Sequence, residues 1–308
     1  MTDPGLTRRT VLQAVVAAAL APGLGGAANA PPALLTKKVP STGEALPVIG
    51  LGTNQFDVSV PADLAARREV LEAFVAGGGR VVDTARAYGE SEAVIGQLVA
   101  SLGNREQFFL ATKTPMGGDV ADPDAVLEES FRRLRTDRVD LVQVHNFHET
   151  KRLLPALRAW KKAGRIRYVG VTTSSAGQYA QMVATLQAEA LDFIQVNYSL
   201  GDRGAEAEIL PLARDRGVAV LANMPLGGRR ANLMPKLAGR ALPGYARDIG
   251  ATSWAQVLLK YAISHPAVTC AIPGATRVVH LQDNLAAGHG VLPDAGLRRR
   301  MEEDWAKA

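Results

Sequence analysis

The strongest constraint on the fold is a regular alternation of short apolar runs with amphipathic segments along most of the chain. Eight nearly continuous apolar runs predict strands that are covered on both faces, near residues 48–52, 80–83, 108–113, 139–145, 167–172, 193–197, 218–223 and 268–272. Between them, apolar residues at helical spacing predict helices over residues 63–76, 91–102, 124–134, 153–163, 177–188, 205–216 and 253–264. Eight strands that alternate with helices predict an α/β fold, a (β/α)8 barrel.

Glycines and one long insert interrupt the alternation of predicted strands and helices. Gly77, Gly103, Gly164 and Gly217 follow helix-like segments, which indicates helices that end on a left-handed residue. The segment 225–249 is longer than the other connections and falls between the seventh strand and its helix. Because long loops at the carboxyl ends of barrel strands usually cover a ligand, we expect this segment to form a lid.

The length of the chain and the lack of internal boundaries favour one barrel. The 308 residues include 47% hydrophobic side chains, and no linker or repeat divides residues 31–308. The alternative architecture is an open doubly wound sheet, in which a G-x-G-x-x-G motif follows the first strand. That motif does not follow residues 48–52. We therefore predict a single TIM-barrel domain over residues 31–308.

The first thirty residues resemble an export signal. Arg8 and Arg9 precede a short apolar run over residues 14–20, and small residues end at Ala28 and Ala30 in an A-x-A pattern. The paired arginines resemble a twin-arginine signal peptide, so we expect residues 1–30 to engage the twin-arginine export machinery and the protein to be periplasmic or otherwise exported. The apolar run is too short for a good membrane span, so we expect no stable membrane insertion after its removal. The alternative is a cytosolic protein with an apolar N-terminus.

Charge and cysteine content exclude several classes of function. The net charge of +5 arises from 35 basic and 30 acidic residues that are spread along the chain without a basic cluster. A nucleic-acid footprint needs such a cluster, so we expect no nucleic-acid partner. The single cysteine, Cys270, excludes an internal disulfide and a cysteine metal cluster.

Proton-handling side chains lie at the ends of three predicted strands. Asp83, Lys113 and His145 each end an apolar run, and Tyr88 follows Asp83 on the next loop. Because the carboxyl ends of barrel strands meet at one mouth, we expect these four side chains to converge there. Three further polar residues end later strands and should lie at the same mouth: Thr172, Gln195 and Asn223.

This combination of side chains suits the reduction of a carbonyl group. A phenol has a pKa of about 10, and a lysine ammonium within ~4–6 Å favours the phenolate and lowers that pKa. Asp83 would hold Lys113 charged, and His145 would donate a hydrogen bond to a substrate carbonyl oxygen beside Tyr88. The set contains no nucleophile paired with a base and no dense group of metal ligands. Taken singly, each residue has a structural explanation, and the convergence of all four favours catalysis.

The loop after the second strand carries a family resemblance. Its pattern D-T-A-x-x-Y-G-x-S-E-x-x-I-G, which begins at Asp83, resembles the signature of the aldo-keto reductases. The resemblance extends from Leu51 to Asn284. It implies that Asp83, Tyr88, Lys113 and His145 form the catalytic tetrad, with Tyr88 as the general acid. It also implies hydride transfer from a nicotinamide cofactor to an aldehyde or ketone.

The same resemblance implies a set of cofactor-binding residues, with some departures from the family pattern. Thr172-Thr173 stands where Ser-Asn is usual, Asn223 stands where a tyrosine often stacks on the nicotinamide, and Gly274 and His280 replace a lysine and an arginine. Arg277 is then expected to supply charge for a phosphate. We expect NADP as the cofactor, with NAD as the alternative. The implied cofactor residues are Gly52, Thr53, Asp83, Thr172, Thr173, Gln195, Asn223, Met224, Leu226, Gly274, Ala275, Thr276, Arg277, Asp283 and Asn284.

Two other functions stay open from the sequence. A non-catalytic nicotinamide-binding sensor or regulatory subunit would keep the barrel, and the departures at the cofactor positions favour it. A metal-dependent hydrolase or lyase would need more carboxylate and histidine ligands at the strand ends than Asp83 and His145 provide. For the reductase we expect a small carbonyl substrate and a monomer or weak oligomer.

Overall fold

The computed structural model of the chain describes residues 33–118, 120–228 and 233–307. The predicted signal peptide over residues 1–30 lies outside the described residues and stays a prediction. None of the helices that are described is long and apolar enough to cross a membrane.

Eight parallel strands form the central sheet, in which each strand pairs with the next one in the sequence. Their bounds are β3 Leu51–Gly52, β4 Val81–Asp83, β5 Phe109–Lys113, β6 Val139–His145, β7 Ile166–Thr172, β8 Phe193–Asn197, β9 Ala219–Asn223 and β10 Val268–Ala271. Parallel bridges Ile49↔Ala271 and Gly52↔Gly274 join the first strand of this sheet to the last. The sheet therefore closes on itself, and the prediction of a (β/α)8 barrel is confirmed.

The closure point explains one glycine. A Cβ atom added to Gly52 would lie 2.8 Å from the carbonyl oxygen of Ile272. That distance is below normal van der Waals contact, so only glycine allows the two backbones to approach closely enough to pair.

Ten helices surround the barrel or cover its ends in the described part of the chain. They are α1 Pro61–Ala76, α2 Ser91–Leu102, α3 Pro123–Leu134, α4 Thr150–Lys162, α5 Tyr179–Ala188, α6 Ile209–Asp215, α7 Leu233–Leu237, α8 Trp254–Ser264, α9 Val278–Ala286 and α10 Ala295–Ala306. The helix α7 and a 3-10 turn, Gly244–Ala246, lie in the predicted lid segment. The sequence did not predict α9 and α10.

Local sequence accounts for several helix ends. Asp122, Ser253 and Asp294 precede α3, α8 and α10, and each side chain accepts a hydrogen bond from a backbone N–H in the first turn. Gly103 ends α2 with φ +65°, as expected. The expectation for Gly77 was wrong, because its φ is −82° and the left-handed residue is Gly78, at +82°.

Side chains of alternate strand residues fill the inside of the barrel. Val81, Phe109, Leu141 and Tyr168 are buried there in one hydrophobic cluster. A hairpin of β1 (Thr36–Lys38) and β2 (Ala45–Pro47) adds Val39 and Leu46 to the same cluster.

The alternation also decides which residues face the active end. Asp83, Lys113 and His145 lie two or four residues beyond members of this cluster on the same strands, so their side chains share its inward face. Apolar residues therefore fill the barrel up to the level at which these polar groups begin.

Candidate active site

Asp83, Lys113 and His145 are the last residues of the adjacent strands β4, β5 and β6. Tyr88 lies on the loop that joins β4 to α2. The structure thus brings the four predicted catalytic side chains together at the carboxyl end of the barrel. Their assignment as catalytic residues rests on this geometry and on the sequence pattern.

A buried ion pair lies at the base of the site. The ammonium Nζ of Lys113 lies 2.6 Å from Oδ2 of Asp83, and it also donates to the carbonyl oxygen of Thr84 at 2.8 Å. The side chains of Lys113 and Asp83 are only 1% and 2% exposed. Burial opposes the charge on Lys113, but Asp83 and Tyr88 outweigh it and raise the pKa of the lysine. Lys113 therefore stays positively charged at neutral pH.

Two glutamines, on β6 and β8, support the carboxylate of Asp83 across the inside of the barrel. The amide of Gln195 donates to Oδ2 of Asp83 at 3.4 Å, and the amide of Gln143 donates to the oxygen of Gln195 at 2.9 Å. The backbone carbonyl of Asp83 accepts a hydrogen bond from the hydroxyl of Thr53 at 2.8 Å. Residues from β4, β6 and β8, together with the loop after β3, therefore fix the ion pair in place.

The phenol of Tyr88 lies beside the lysine. Nζ of Lys113 is 5.1 Å from the centroid of the Tyr88 ring. The positive charge of Lys113 is the largest influence and lowers the pKa of Tyr88, as the sequence suggested. Burial and the carboxylate of Asp83 act in the opposite direction and together raise the pKa of Tyr88 above its ordinary value. Tyr88 thus carries its proton at neutral pH, which a proton donor requires.

His145 completes the group as a neutral side chain. Its ring meets the Tyr88 ring edge to face, with centroids 6.2 Å apart. Burial, and then the positive charge of Lys113, lower the pKa of His145 to about 3. A neutral imidazole donates through one ring nitrogen, so it can donate a hydrogen bond to an oxygen without adding a second cation beside Lys113.

Two cavities meet at these side chains. The catalytic cavity, of about 180 Å³, is lined by Ala87, Tyr88, Lys113, Met116, His145, Asn146, Thr172, Ser174, Gln195 and Asn223. The larger one, called the main cavity here, has a volume of about 540 Å³. Tyr88, Ser174, Gln195 and Asn223 line both cavities. A ligand in the main cavity could therefore present one end to the phenol of Tyr88.

Many of the predicted cofactor residues line the main cavity. They come from the middle of β8, where the sequence had placed Gln195 at a strand end, from the ends of β3, β4 and β9 or just beyond them, and from the loop after β10. They are Gly52, Thr53, Asp83, Gln195, Asn223, Met224, Leu226 and Gly274. Thr172 lines the catalytic cavity instead. The lid contributes Pro225, Gly228, Met234 and Pro235 to the wall of the main cavity, in agreement with its expected position over a ligand.

Other predicted cofactor residues lie outside the walls of both cavities, namely Thr173, Ala275, Thr276, Arg277, Asp283 and Asn284. The hydroxyl of Thr173 bonds within its own turn, to Gln178 and to the backbone N–H of Ser175. Asp283 accepts hydrogen bonds from Ser253 and Gln256, which tie α9 to α8. These contacts give Thr173 and Asp283 structural roles.

Several residues of the catalytic cavity were not predicted from the sequence, among them Ala87, Met116, Asn146 and Ser174. Asn146 directly follows His145 and has a left-handed φ of +49°, a conformation that asparagine tolerates better than most residues. Its side chain contacts Met116 at 3.1 Å and the backbone N–H of Ser174 at 3.3 Å. Examining one or two residues beyond each strand end would have identified Asn146 and Ser174.

A metal-dependent hydrolase or lyase, the alternative function, would need several metal-binding side chains close together. Within residues 33–118, 120–228 and 233–307, no group of three or more His, Cys, Asp or Glu side chains is arranged to hold a metal ion.

Comparisons with known proteins place the chain among relatives with the same fold. A model of the aldo/keto reductase family matches residues 48–300. Methylglyoxal reductase YeaE of Escherichia coli (strain K12) is 34% identical over 254 residues, which cover 78% of this chain and 85% of that relative. Methylglyoxal reductase DkgB of Yersinia pestis is 30% identical over 253 residues, which cover 79% and 87%. The solved structure of an aldo-keto reductase from Klebsiella pneumoniae in complex with NADPH has a TM-score of 0.73 and 28% identity, covering 88% of this chain and 96% of that one.

Because the ion pair between Lys113 and Asp83 is buried, we expect the removal of one of its charges to lower the stability of the protein strongly. Replacing Asp83 by asparagine (Asp83→Asn) leaves the ammonium of Lys113 buried without a counter-charge, so we expect the free energy of unfolding to fall by about 3–5 kcal/mol. Chemical denaturation measures this change.

The double variant Asp83→Asn/Lys113→Met removes both charges and should recover most of the loss. As a control, Glu72→Gln breaks an exposed pair with Arg68 and should cost less than about 1 kcal/mol. Equal losses for Asp83→Asn and Glu72→Gln would contradict a buried, unscreened ion pair.

Proposed function

Because the chain belongs to the aldo/keto reductase family, and is thus an oxidoreductase, we propose that it reduces an aldehyde or ketone to an alcohol with NADPH, using Tyr88 as the general acid. The observation that carries the proposal is the phenol of Tyr88 beside the buried ion pair of Lys113 and Asp83 at the wall of a cavity. Membership of the family does not by itself name the proton donor, and this arrangement supports Tyr88 in that role.

Each residue of the site has a part in the proposed reaction. Bound NADPH would supply the hydride for the carbonyl carbon, whose π bond to oxygen breaks. Tyr88 donates its phenolic proton to the oxygen, which gains negative charge in the transition state. Lys113 stabilises the resulting phenolate by its charge, and Asp83 holds the lysine in place. Neutral His145 donates a hydrogen bond that orients the carbonyl oxygen towards Tyr88.

Features of the main cavity fit a nicotinamide dinucleotide. At Gly274 an added Cβ would meet nothing closer than 3.6 Å. Packing of the fold therefore does not demand this glycine, whose bare backbone faces the cavity. Asn223 also lines this cavity, and its Oδ1 is a buried acceptor without a hydrogen-bond partner. The Klebsiella structure in complex with NADPH supports NADPH as the cofactor. We propose that Gly52, Gln195, Asn223 and Gly274 contact it.

The size of the catalytic cavity favours a small substrate. About 180 Å³ is below the usual size of drug-like ligand sites, which begin at about 300 Å³. Polar residues such as Asn146 and Ser174 line this cavity beside the catalytic group. The two relatives are methylglyoxal reductases, and methylglyoxal is a small dicarbonyl compound. We propose a short, polar aldehyde or ketone as the substrate.

The export of the protein is a separate proposal. The paired arginines, the short apolar run and the A-x-A pattern over residues 1–30 support a twin-arginine signal. This route carries folded proteins, so the enzyme would cross the membrane with its cofactor bound. Cell fractionation tests this proposal, which fails if the full-length protein stays in the cytoplasm.

Replacing the proton donor tests the proposed function. In Tyr88→Phe the ring remains but the proton is lost, so we expect kcat for methylglyoxal with NADPH to fall by about 10²–10⁴-fold. Binding of NADPH, followed by fluorescence, should stay within about twofold because the phenol acts only in the transition state. If the wild-type chain binds NADPH without turnover, the non-catalytic sensor is the correct function. If neither NADPH nor NADH binds, the proposal is wrong.

The protonation state of Tyr88 predicts the pH dependence of the reduction. The pKa of Tyr88 lies above its ordinary value of 10.0, so the acid form is complete at neutral pH and is lost only as pH rises through that higher pKa. We therefore expect kcat to stay constant from about pH 7 to about pH 9 and to fall only above about pH 10. A profile of kcat with saturating NADPH measures this. A fall centred near about pH 8 would mean that the charge of Lys113 outweighs the combined effect of burial and Asp83 on the pKa of Tyr88.

A further inference from the structure

A buried carboxylate behind the catalytic group takes no part in the proposed reaction. Glu92 lies in the first turn of α2, and its side chain has no exposure to solvent. Its Oε1 accepts a hydrogen bond of 2.6 Å from the hydroxyl of Thr112. Burial raises the pKa of Glu92, although Thr112 and Arg86 lower it. Such a group is costly to bury, so its contacts indicate what it does there.

The contact with Thr112 connects Glu92 to the catalytic lysine. Thr112 and Lys113 are consecutive residues of β5, so their side chains point to opposite faces of the sheet. Lys113 faces the inside of the barrel, and Thr112 faces outward towards α2. Glu92 therefore holds the end of β5 from the outer side, one residue before the ammonium group that lies beside Tyr88.

A second contact connects Glu92 to the loop that carries the phenol. Nη1 of Arg86 lies 3.8 Å from Oε2 of Glu92 and 3.5 Å from Oε1 of Glu129. Neither Nη1 of Arg86 nor Oε2 of Glu92 has a hydrogen-bond partner, and both atoms are buried. The two atoms have opposite charge and are both buried, so their attraction is little screened by water; Ser130 and Arg133 also stabilise the carboxylate of Glu92. Arg86 precedes Tyr88 by two residues on the same loop.

The two carboxylate oxygens of Glu92 thus contact β5, which carries Lys113, and the loop that carries Tyr88. The relative position of these two elements sets the distance between the ammonium group and the phenol. We propose that Glu92 is a positioning residue, which fixes the distance between Tyr88 and Lys113 through Thr112 on one side and Arg86 on the other. This inference rests on the proposed reductase function. It goes beyond that function because it assigns a role in catalysis to a residue that lines neither cavity. Small displacements matter at such a site, since an error of about 1 Å can cost about 10²-fold in rate.

The test breaks the two connections separately. Glu92→Gln keeps the shape and an oxygen for Thr112 but removes the charge that attracts Arg86. Thr112→Val removes the hydroxyl and leaves the charge. We expect each variant to lower kcat for methylglyoxal by about tenfold, while KM and the Kd for NADPH stay within about twofold, because only the transition state needs the aligned pair.

A double variant and a control separate positioning from a general loss of stability. Because both connections fix the same distance between Tyr88 and Lys113, Glu92→Gln/Thr112→Val should lose little more than either single variant, rather than about a hundredfold. The control is Asp192→Asn, which also removes a buried carboxylate, bonded to Lys161 and to the backbone N–H of Val169. It lies before β8, at the opposite end of the strand from the site. It should lower the free energy of unfolding and leave kcat within about twofold.

Three outcomes would overturn the inference: an unchanged kcat in Glu92→Gln, equal losses of kcat and NADPH affinity, or fully multiplicative losses in the double variant. These outcomes differ from a failure of the proposed function, in which the wild-type chain itself shows no turnover. If the wild type is active and Tyr88→Phe is not, an active Glu92→Gln refutes only the role of Glu92.

Discussion

The site depends on one buried ion pair, between Lys113 and Asp83. An ammonium group can remain charged inside a barrel only if a carboxylate and further hydrogen bonds compensate for the water it has lost. Those partners come from several strands, so the barrel must be complete before the site exists. The same charge then acts on Tyr88, whose proton the proposed reaction needs. Stability and proposed chemistry thus share a single interaction.

The rest of the fold places this pair. Alternate strand residues fill the barrel with apolar side chains, and the pair lies in the next inward-facing layer. The helix α2 acts from the outside, because Ser91 bonds to Thr53 and Thr84 while Glu92 bonds to Thr112. The first two residues of one helix therefore tie together the regions that follow β3 and β4 and the end of β5. The Ser91-Glu92 part of the family signature therefore stabilises the arrangement of these strand ends.

The sequence predicted the barrel and the convergence of Asp83, Tyr88, Lys113 and His145 at one end of it, because both follow from the pattern of strands along the chain. Strands β6 and β8 and helix α2 have the predicted bounds. The sequence predicted less well the features that depend on contacts between residues far apart in the chain. Thr173 directly follows β7, and the sequence did not predict that its hydroxyl bonds within its own turn; its role at the cofactor stays a prediction. The direction of the pKa shift of Tyr88 depends on a balance between burial and two charges, which no spacing reveals. The helices α9 and α10 were missed, and Gly78 rather than Gly77 takes the left-handed conformation.

The central claim is that this site transfers a hydride to a carbonyl carbon next to Tyr88. The most direct test is a single turnover of the wild-type chain with methylglyoxal and NADPH that carries deuterium at the transferred position, followed by mass spectrometry of the product. The account predicts an alcohol with one deuterium on the former carbonyl carbon. An alcohol without deuterium, or bound cofactor that remains unoxidised in the presence of every small aldehyde tested, would contradict it.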